Sequence, residues 1–242
     1  MNLAFCGLTG KMGEAFLKRL PFYSFATLEY GVARENRNVH GVPVFPPDYP
    51  NLPKVDVLVD FSRPQALMEL LTHRSEVFQG LVSGTTGFSE TEWAQVKTFA
   101  ESHWVFYASN FSLGILAITR ALKAMAPVLK TWDVSILDVH HQRKVDAPSG
   151  TAKMLAGCLQ NAGWKTPAQM ASSRLGDLAG QHHMTLGHGR ETVTLSHIAE
   201  DPQVYVEGVF SVLDVAEKTG WIQHPGLYGM EDFFKKISEN PH

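Results

Sequence analysis

Short apolar runs alternate with amphipathic stretches through the first half of the chain, each bounded by glycine, proline or charged turns. The runs NLAFC (2–6), ATLEYGVAR (26–34), VDVLVDF (55–61), GLVSG (80–84) and WVFYAS (104–109) read as strands. Between them, KMGEAFLKRL (11–20, stopped by Pro21), PQALMELLTHR (64–74) and ETEWAQVKTFAESH (90–103) carry helical spacing. Residues from the end of the second run to Pro53 read as a proline-rich connector. Strands alternating with helices predict βαβ units, hence a parallel sheet covered on both faces.

The pattern changes after Asn110. A long helix is expected over 113–130, then the strand DVSILDVHH (133–141) and a charged loop. A helix over 151–162 would bury Met154, Leu155, Cys158, Leu159 and Ala162, with Gly163 ending it. MTLGHGRETVTLSHIA (184–199) reads as a hairpin turning at Gly189-Arg190, and two helices, 206–220 and 229–237, close the chain. The expectation is α/β: a doubly wound parallel sheet from residues 1–110 and 213–242, and a smaller α+β domain over 111–212.

Composition narrows the function. The 242 residues are 44% hydrophobic with a formal charge of −3 and no basic run, which argues against a nucleic-acid binder. No apolar stretch approaches the roughly 18–20 residues of a membrane span, and MNLAFCGLTG lacks the basic start of a signal peptide. Two cysteines, Cys6 and Cys158, fit a reduced cytoplasmic protein. A small-molecule partner is the starting expectation.

CGLTGKMG places Gly7, Gly10 and Gly13 just after a strand and at a helix start. There, glycine lets a pyrophosphate approach backbone N–H groups where the helix dipole favours anions, and Lys11 adds charge. Close strand–helix packing explains the same glycines. At the end of the second strand an acid would bind a ribose 2′-hydroxyl and an arginine a 2′-phosphate. GVARENRN offers Arg34 with Arg37 nearby, which favours NADPH, while Glu35 keeps NADH open. SGTTGF (83–88) and ASNFS (108–112) end the next strands on the same side, with hydroxyl and amide groups suited to a carboxamide or simply to turns.

HHQRKVDAPSGTA (140–152) gathers cationic groups ahead of a helix start. Ser149 is the expected N-cap, and the Gly150 and Thr151 N–H groups would face an anion. Lys144 supplies a cation and His141 a donor. Successive strand residues alternate in direction, so His140 and His141 need not share a task. A solvated loop is the plain alternative. His182, His183 and His188 do not form a zinc motif, and neither cysteine suits a nucleophile, so no metal is expected.

On GLTGKMG, DFSRP (60–64), SGTTGF, ASNFSLG and HHQRKVDAPSGTA, with weaker matches at RLGDLAGQH (174–182) and GRE, the chain resembles the dihydrodipicolinate reductase family. The resemblance implies a Rossmann-type domain, a substrate and tetramerisation domain, and NADPH- or NADH-dependent reduction of a cyclic dicarboxylate in lysine/diaminopimelate biosynthesis by a homotetramer. It assigns Gly7, Leu8, Thr9, Gly10, Lys11 and Met12 to the pyrophosphate and Arg34 to the adenosine ribose. Gly84, Thr85 and Thr86, with Ala108, Ser109, Asn110 and Phe111, would frame the nicotinamide. His140 and Lys144 match the proton-donor pair, His141 a substrate contact, and Gly150 with Thr151 the carboxylate-binding turn capped by Ser149.

The chain departs from the family pattern at Ala33, where an acid is frequent, at Lys11 and Arg143, and in a C-terminal segment lacking an expected arginine. A reductase of another cyclic imine or keto acid, or a non-catalytic nucleotide sensor, would share the architecture; a sensor needs no proton donor.

Overall fold

A computed structural model describes residues 1–239; residues 240–242, the end of the expected first domain, lie outside the described residues. The chain packs as two compact units, one of Met1–Phe111 with Tyr205–His242 and the other of Ser112–Val204.

The first unit opens with β1 (Asn2–Cys6), α1 (Lys11–Arg19), β2 (Thr27–Val32), β3 (Arg37–Val39) and β4 (Val42–Phe45). β5 (Val55–Asp60), α2 (Pro64–Arg74), β6 (Phe78–Ser83), α3 (Glu90–Phe99) and β7 (Trp104–Tyr107) follow. The second unit holds α4 (Leu113–Leu129), β8 (Asp133–His140), α5 (Gly150–Asn161), β9 (Gln169–Arg174), β10 (Gly180–His188) and β11 (Glu191–Ala199). The chain passes back within α6 (Gln203–Thr219) and ends with β12 (Gly226–Tyr228) and α7 (Met230–Glu239).

In the first unit the strand order is β12-β7-β6-β5-β1-β2-β4-β3, parallel except for edge strand β3. This is the doubly wound sheet predicted from the apolar runs, which are buried on both faces as parallel strands must be. Alternate residues of β1 serve opposite layers. Ala4 and Cys6 join Leu67 and Leu70 of α2 and Val96 of α3. On the other face the Phe5 ring meets Phe16 of α1 at 4.7 Å, and Phe16 stacks on Phe210 of α6 at 4.8 Å.

The second unit is a four-stranded sheet, β11-β10-β8-β9, antiparallel except for the β8–β9 pair. α4 and α5 cover one face, where Leu122, Leu155 and Leu159 pack on Val134, Ile136, Met184 and Leu186. Ser112 and Ser149 cap these helices through their hydroxyls, accepting from Ile115 and Ala152 N–H. Among the described residues no helix is long and apolar enough to cross a membrane.

Three expectations need correction, and strands β9 and β12 were not expected. The proline-rich connector contains β3 and β4, too short to show alternation. β9 is a mostly exposed edge strand whose sequence QMASSR carries no apolar period. The hairpin turns at Gly189-Arg190 as expected but starts at Gly180, because His182 fills an inward position ahead of Met184 and Leu186. α6 begins at Gln203 rather than 206.

Candidate active site

In the first unit, β1, β2 and β5 end around a cleft of about 770 Å³ lined by Gly7, Thr9, Gly10, Arg34, Arg37 and Ser62, among others. β2 and β5 lie on either side of β1, so the cleft sits where the strand order reverses, the usual ligand position in such sheets. Gly7 has φ +86°, and a Cβ there would stand 2.5 Å from the Phe61 carbonyl oxygen. Its N–H donates to the Val32 carbonyl at 2.9 Å. Gly13 approaches so closely that a Cβ would meet the Leu8 carbonyl oxygen at 2.1 Å. Gly10 is the N-cap of α1 and offers no side chain, leaving the cap position to an incoming acceptor. A narrow glycine turn, a helix start and exposed arginines fit a dinucleotide phosphate.

Arg34 thus lines the cleft as its sequence position suggested, while Leu8 is buried beneath the turn and Lys11 and Met12 lie outside the lining. Of the other expected cofactor residues, Gly84 and Phe111 lie against the Phe61 ring. A Cβ on Gly84 would stand 2.2 Å from that ring, and the Phe111 ring lies 5.6 Å from it. Thr85 is buried, its hydroxyl accepting the Ser62 N–H at 2.9 Å, and the Ala108 N–H donates to the Ser83 carbonyl at 3.1 Å. Thr86 and Ser109 are exposed and Asn110 is half-buried. Buried Asp60 joins these loops, accepting from the Ser83 hydroxyl at 2.8 Å and the Ser62 hydroxyl at 2.5 Å. Burial pushes its carboxyl upward, opposed by the hydroxyl donors. Asp60, Phe61 and Ser62 were not among the expected site residues, although DFSRP marked their segment.

In the second unit the site grows out of strand alternation. Val134, Ile136, Asp138 and His140 share one face of β8; the first two are core, the last two polar. Opposite Asp138 lie His182 on β10 and Ser172 on β9, and Arg174 lies beside His140. The apolar layer therefore ends in a layer of ionisable groups. Asp138 is fully buried. Its Oδ2 accepts from the Ser149 N–H at 2.9 Å, the Ser172 hydroxyl at 3.2 Å and Arg174 Nη2 at 3.2 Å. Its Oδ1 lies 2.7 Å from His140 Nδ1, off the line of a straight hydrogen bond, and 3.7 Å from His182 Nε2.

Burial pushes the Asp138 carboxyl upward, but hydrogen bonds from Ser149, the electrostatic pull of His140 and a hydrogen bond from Arg174 outweigh it and hold it below the usual carboxylate range. Burial lowers His140; Lys144 and Arg174 add to this, against Asp138 and Asp146. Burial, with His140 next, takes His182 down to about 4. His182 Nε2 faces the Ser149 hydroxyl at 3.2 Å.

The expected substrate residues assemble on the loop after β8. Lys144 Nζ pairs with Asp146 at 2.8 Å, and Arg174 donates to the Asp146 carbonyl. Ser149 is buried, and α5 begins at Gly150 and Thr151. β8 ends at His140, so His141 stands in the loop, half-buried, rather than continuing the strand. Asp138, Arg174 and His182 were not expected; the signal was available, because 138 and 140 differ by one strand period.

Asp138, His140 and His182 each bring a donor atom within 4.8 Å of the others. The 2.7 Å separation of Oδ1 and Nδ1 is that of a direct carboxylate–imidazole contact. Two donors on one tetrahedral zinc at ~2.0–2.1 Å would stand ~3.3 Å apart. The cluster can hold an imidazole in one orientation beside an ammonium and a helix N-terminus, a combination suited to binding a carboxylate and moving a proton.

Residues 1–111 match the family model described as dihydrodipicolinate reductase, N-terminus, and residues 114–234 that described as dihydrodipicolinate reductase, C-terminus. A 4-hydroxy-tetrahydrodipicolinate reductase from Stenotrophomonas maltophilia (strain K279a) is 33% identical over 241 residues, covering 97% of this chain and 98% of that protein. A protein of the same name from Xanthomonas euvesicatoria pv. vesicatoria (strain 85-10) is 35% identical over 208 residues, covering 84% and 86%. The dipicolinate-bound dihydrodipicolinate reductase from Paenisporosarcina sp. TG-14 superposes with TM-score 0.76 at 22% identity, over 96% of this chain and 98% of that one, which establishes a shared fold.

Proposed function

The chain belongs to the dihydrodipicolinate reductase family, and on that premise we propose that it reduces 4-hydroxy-tetrahydrodipicolinate to tetrahydrodipicolinate with NADPH or NADH, the 4-hydroxyl leaving as water to give the conjugated ring that takes the hydride. The observation that carries this reading is the single segment 138–151, which supplies a carboxylate-backed imidazole, an ammonium and a helix start. The substrate ring bears two carboxylates and a conjugated imine, and this segment has a matching donor for each demand.

Gly150 and Thr151, at the start of α5, hold one carboxylate, where aligned N–H groups and the dipole favour an anion. Lys144 and His141 add donors to the same ligand. When bound, the dihydronicotinamide supplies a hydride; the remaining work belongs to the chain. Negative charge developing at the ring nitrogen is stabilised by the Lys144 ammonium. A proton must follow, and His140 or Lys144 delivers it. At neutral pH the lowered His140 is a neutral ring with Nδ1 toward Asp138. A dianionic ligand beside it favours the imidazolium, the acid form.

The cleft residues Gly7, Thr9, Gly10 and Arg34 are the proposed dinucleotide contacts, with Arg34 and Arg37 favouring acceptance of NADPH. Gly84–Thr86 and Ala108–Phe111 serve the nicotinamide end through the Phe61-centred loops. The family resemblance implies a homotetramer, and Leu137 and Ile198, 38% and 52% exposed on the sheet face turned away from the core, offer apolar surface for association between copies; light scattering at assay concentration tests it. Cys6 and Cys158 form no disulfide, which fits a cytoplasmic setting.

Replacing His140 or Lys144 by alanine tests the assignment. Each should lower kcat by about 10²-fold or more, with NADPH binding unchanged. Normal turnover in both variants would overturn it.

A further inference from the structure

We propose that Asp138 is a positioning residue of this reductase, aligning the His140 ring through Nδ1 and anchoring the Ser149–Gly150 turn through its other oxygen. The inference rests on the functional reading above and adds a residue to it. Val134 and Ile136 show what packing alone selects on this face of β8: aliphatic side chains in contact with α4 and α5. A fully buried carboxylate in the same row is costly unless donors surround it. Here the donors are divided by function. Oδ2 takes the Ser149 N–H, the Ser172 hydroxyl and Arg174. Oδ1 lies 2.7 Å from His140 Nδ1, with His182 Nε2 farther off at 3.7 Å.

One oxygen therefore fixes the residue that precedes the carboxylate-binding turn, and the other turns an imidazole. With Nδ1 directed at Asp138, His140 presents Nε2 on its far side, where Gly180 has no side chain; a Cβ there would lie 3.0 Å from Nε2. The Oδ1–Nδ1 contact is bent outside ordinary hydrogen-bond geometry, and catalytic hydrogen bonds are often poorly aligned until substrate binds. Asp138 thus sets both the direction of the proton and the place of the carboxylate.

The test uses the full chain and compares Asp138→Asn, which keeps the shape and removes the charge, with Asp138→Glu, which keeps the charge. The Asn variant should lower kcat 10- to 100-fold, raise substrate KM several-fold and leave NADPH binding as it was; the Glu variant should recover most of the loss. The charges facing His140 are Asp138 on its own strand, Arg174 on β9, His182 on β10, and Lys144 and Asp146 on the loop. With only the first neutralised, the alkaline limb of the kcat profile, where His140 gives up its proton, should move to lower pH.

Ring ¹⁵N–¹H spectra of His140, assigned with His140→Gln, should show the Nδ1–H tautomer in the unaltered chain and its loss in the Asn variant. A folded Asn variant with unchanged kcat, or one that is slow but keeps the pH profile and tautomer, would overturn the proposal. If the Asn variant does not fold, the unaltered chain still decides: His140 protonated at Nε2 alone would overturn the pairing, and protonation at Nδ1 would support it. An unaltered chain with no reductase activity would overturn the functional reading instead, while the ring spectrum continues to judge the pairing.

Discussion

Replacing Arg34 by alanine separates the 2′-phosphate reading from ordinary surface charge. Arg34 is exposed, lines the 770 Å³ cleft beside Ala33 and Glu35, and shares it with Arg37. At ~5 Å, a unit charge pair is worth ~0.8 kcal/mol in water and ~3 kcal/mol at an effective dielectric of 20. A 2′-phosphate carries more than one negative charge near neutral pH, which raises the figure; salt screening and the remaining Arg37 lower it. The balance is about 2 kcal/mol, a roughly thirtyfold weaker NADPH. NADH has a hydroxyl there and should lose no more than about threefold. Equilibrium titration of nicotinamide fluorescence measures both dissociation constants, with a high-salt repeat expected to compress the difference. Equal losses for the two nucleotides, or none for NADPH, would refute the reasoning.

Gly180→Ala should bring a methyl to 3.0 Å from His140 Nε2, tighter than ordinary contact; a displacement of a few tenths of an ångström predicts kcat lower by about tenfold with little change in melting temperature, read by steady-state kinetics and a thermal melt. Binding of dipicolinate, a dianionic probe, should draw a proton onto His140, whose ring is held neutral by burial; calorimetry in two buffers of different ionisation enthalpy should show net uptake near pH 7, diminished in His140→Gln. His182 has its folded value lowered to about 4 against about 6.5 unfolded. The unfolded chain therefore binds more protons between these values, and stability falls as pH drops through that window by ~3 kcal/mol at most. Urea unfolding at pH 7 and pH 4.5 should show a smaller loss in His182→Gln than in the parent chain.

The long periodic elements were readable because burial enforces period and length together. The five apolar strands of the first unit, and the helices around Leu67 and Leu155, have no other way to hide those side chains. β9 escaped because an edge strand with exposed side chains needs no apolar alternation, and β10 was cut short because a buried histidine stands at an alternate position. The chemistry followed the same division. His140, Lys144 and the Ser149 cap lie on one continuous segment and could be read together. Arg174 and His182 meet Asp138 only through sheet register, which no local motif records. Asp138 itself stands one strand period from His140 and was hidden by its apolar neighbours.

The central claim is that the segment from Asp138 to Thr151 serves reduction of a cyclic dicarboxylate by a nicotinamide cofactor. Absorbance of the reduced nicotinamide, followed while freshly generated 4-hydroxy-tetrahydrodipicolinate is added to the full chain, measures it directly. The account predicts oxidation of NADPH or NADH that depends on that substrate, is inhibited by dipicolinate and collapses in Lys144→Ala. A folded chain that binds nucleotide yet oxidises neither cofactor with saturating substrate would contradict it.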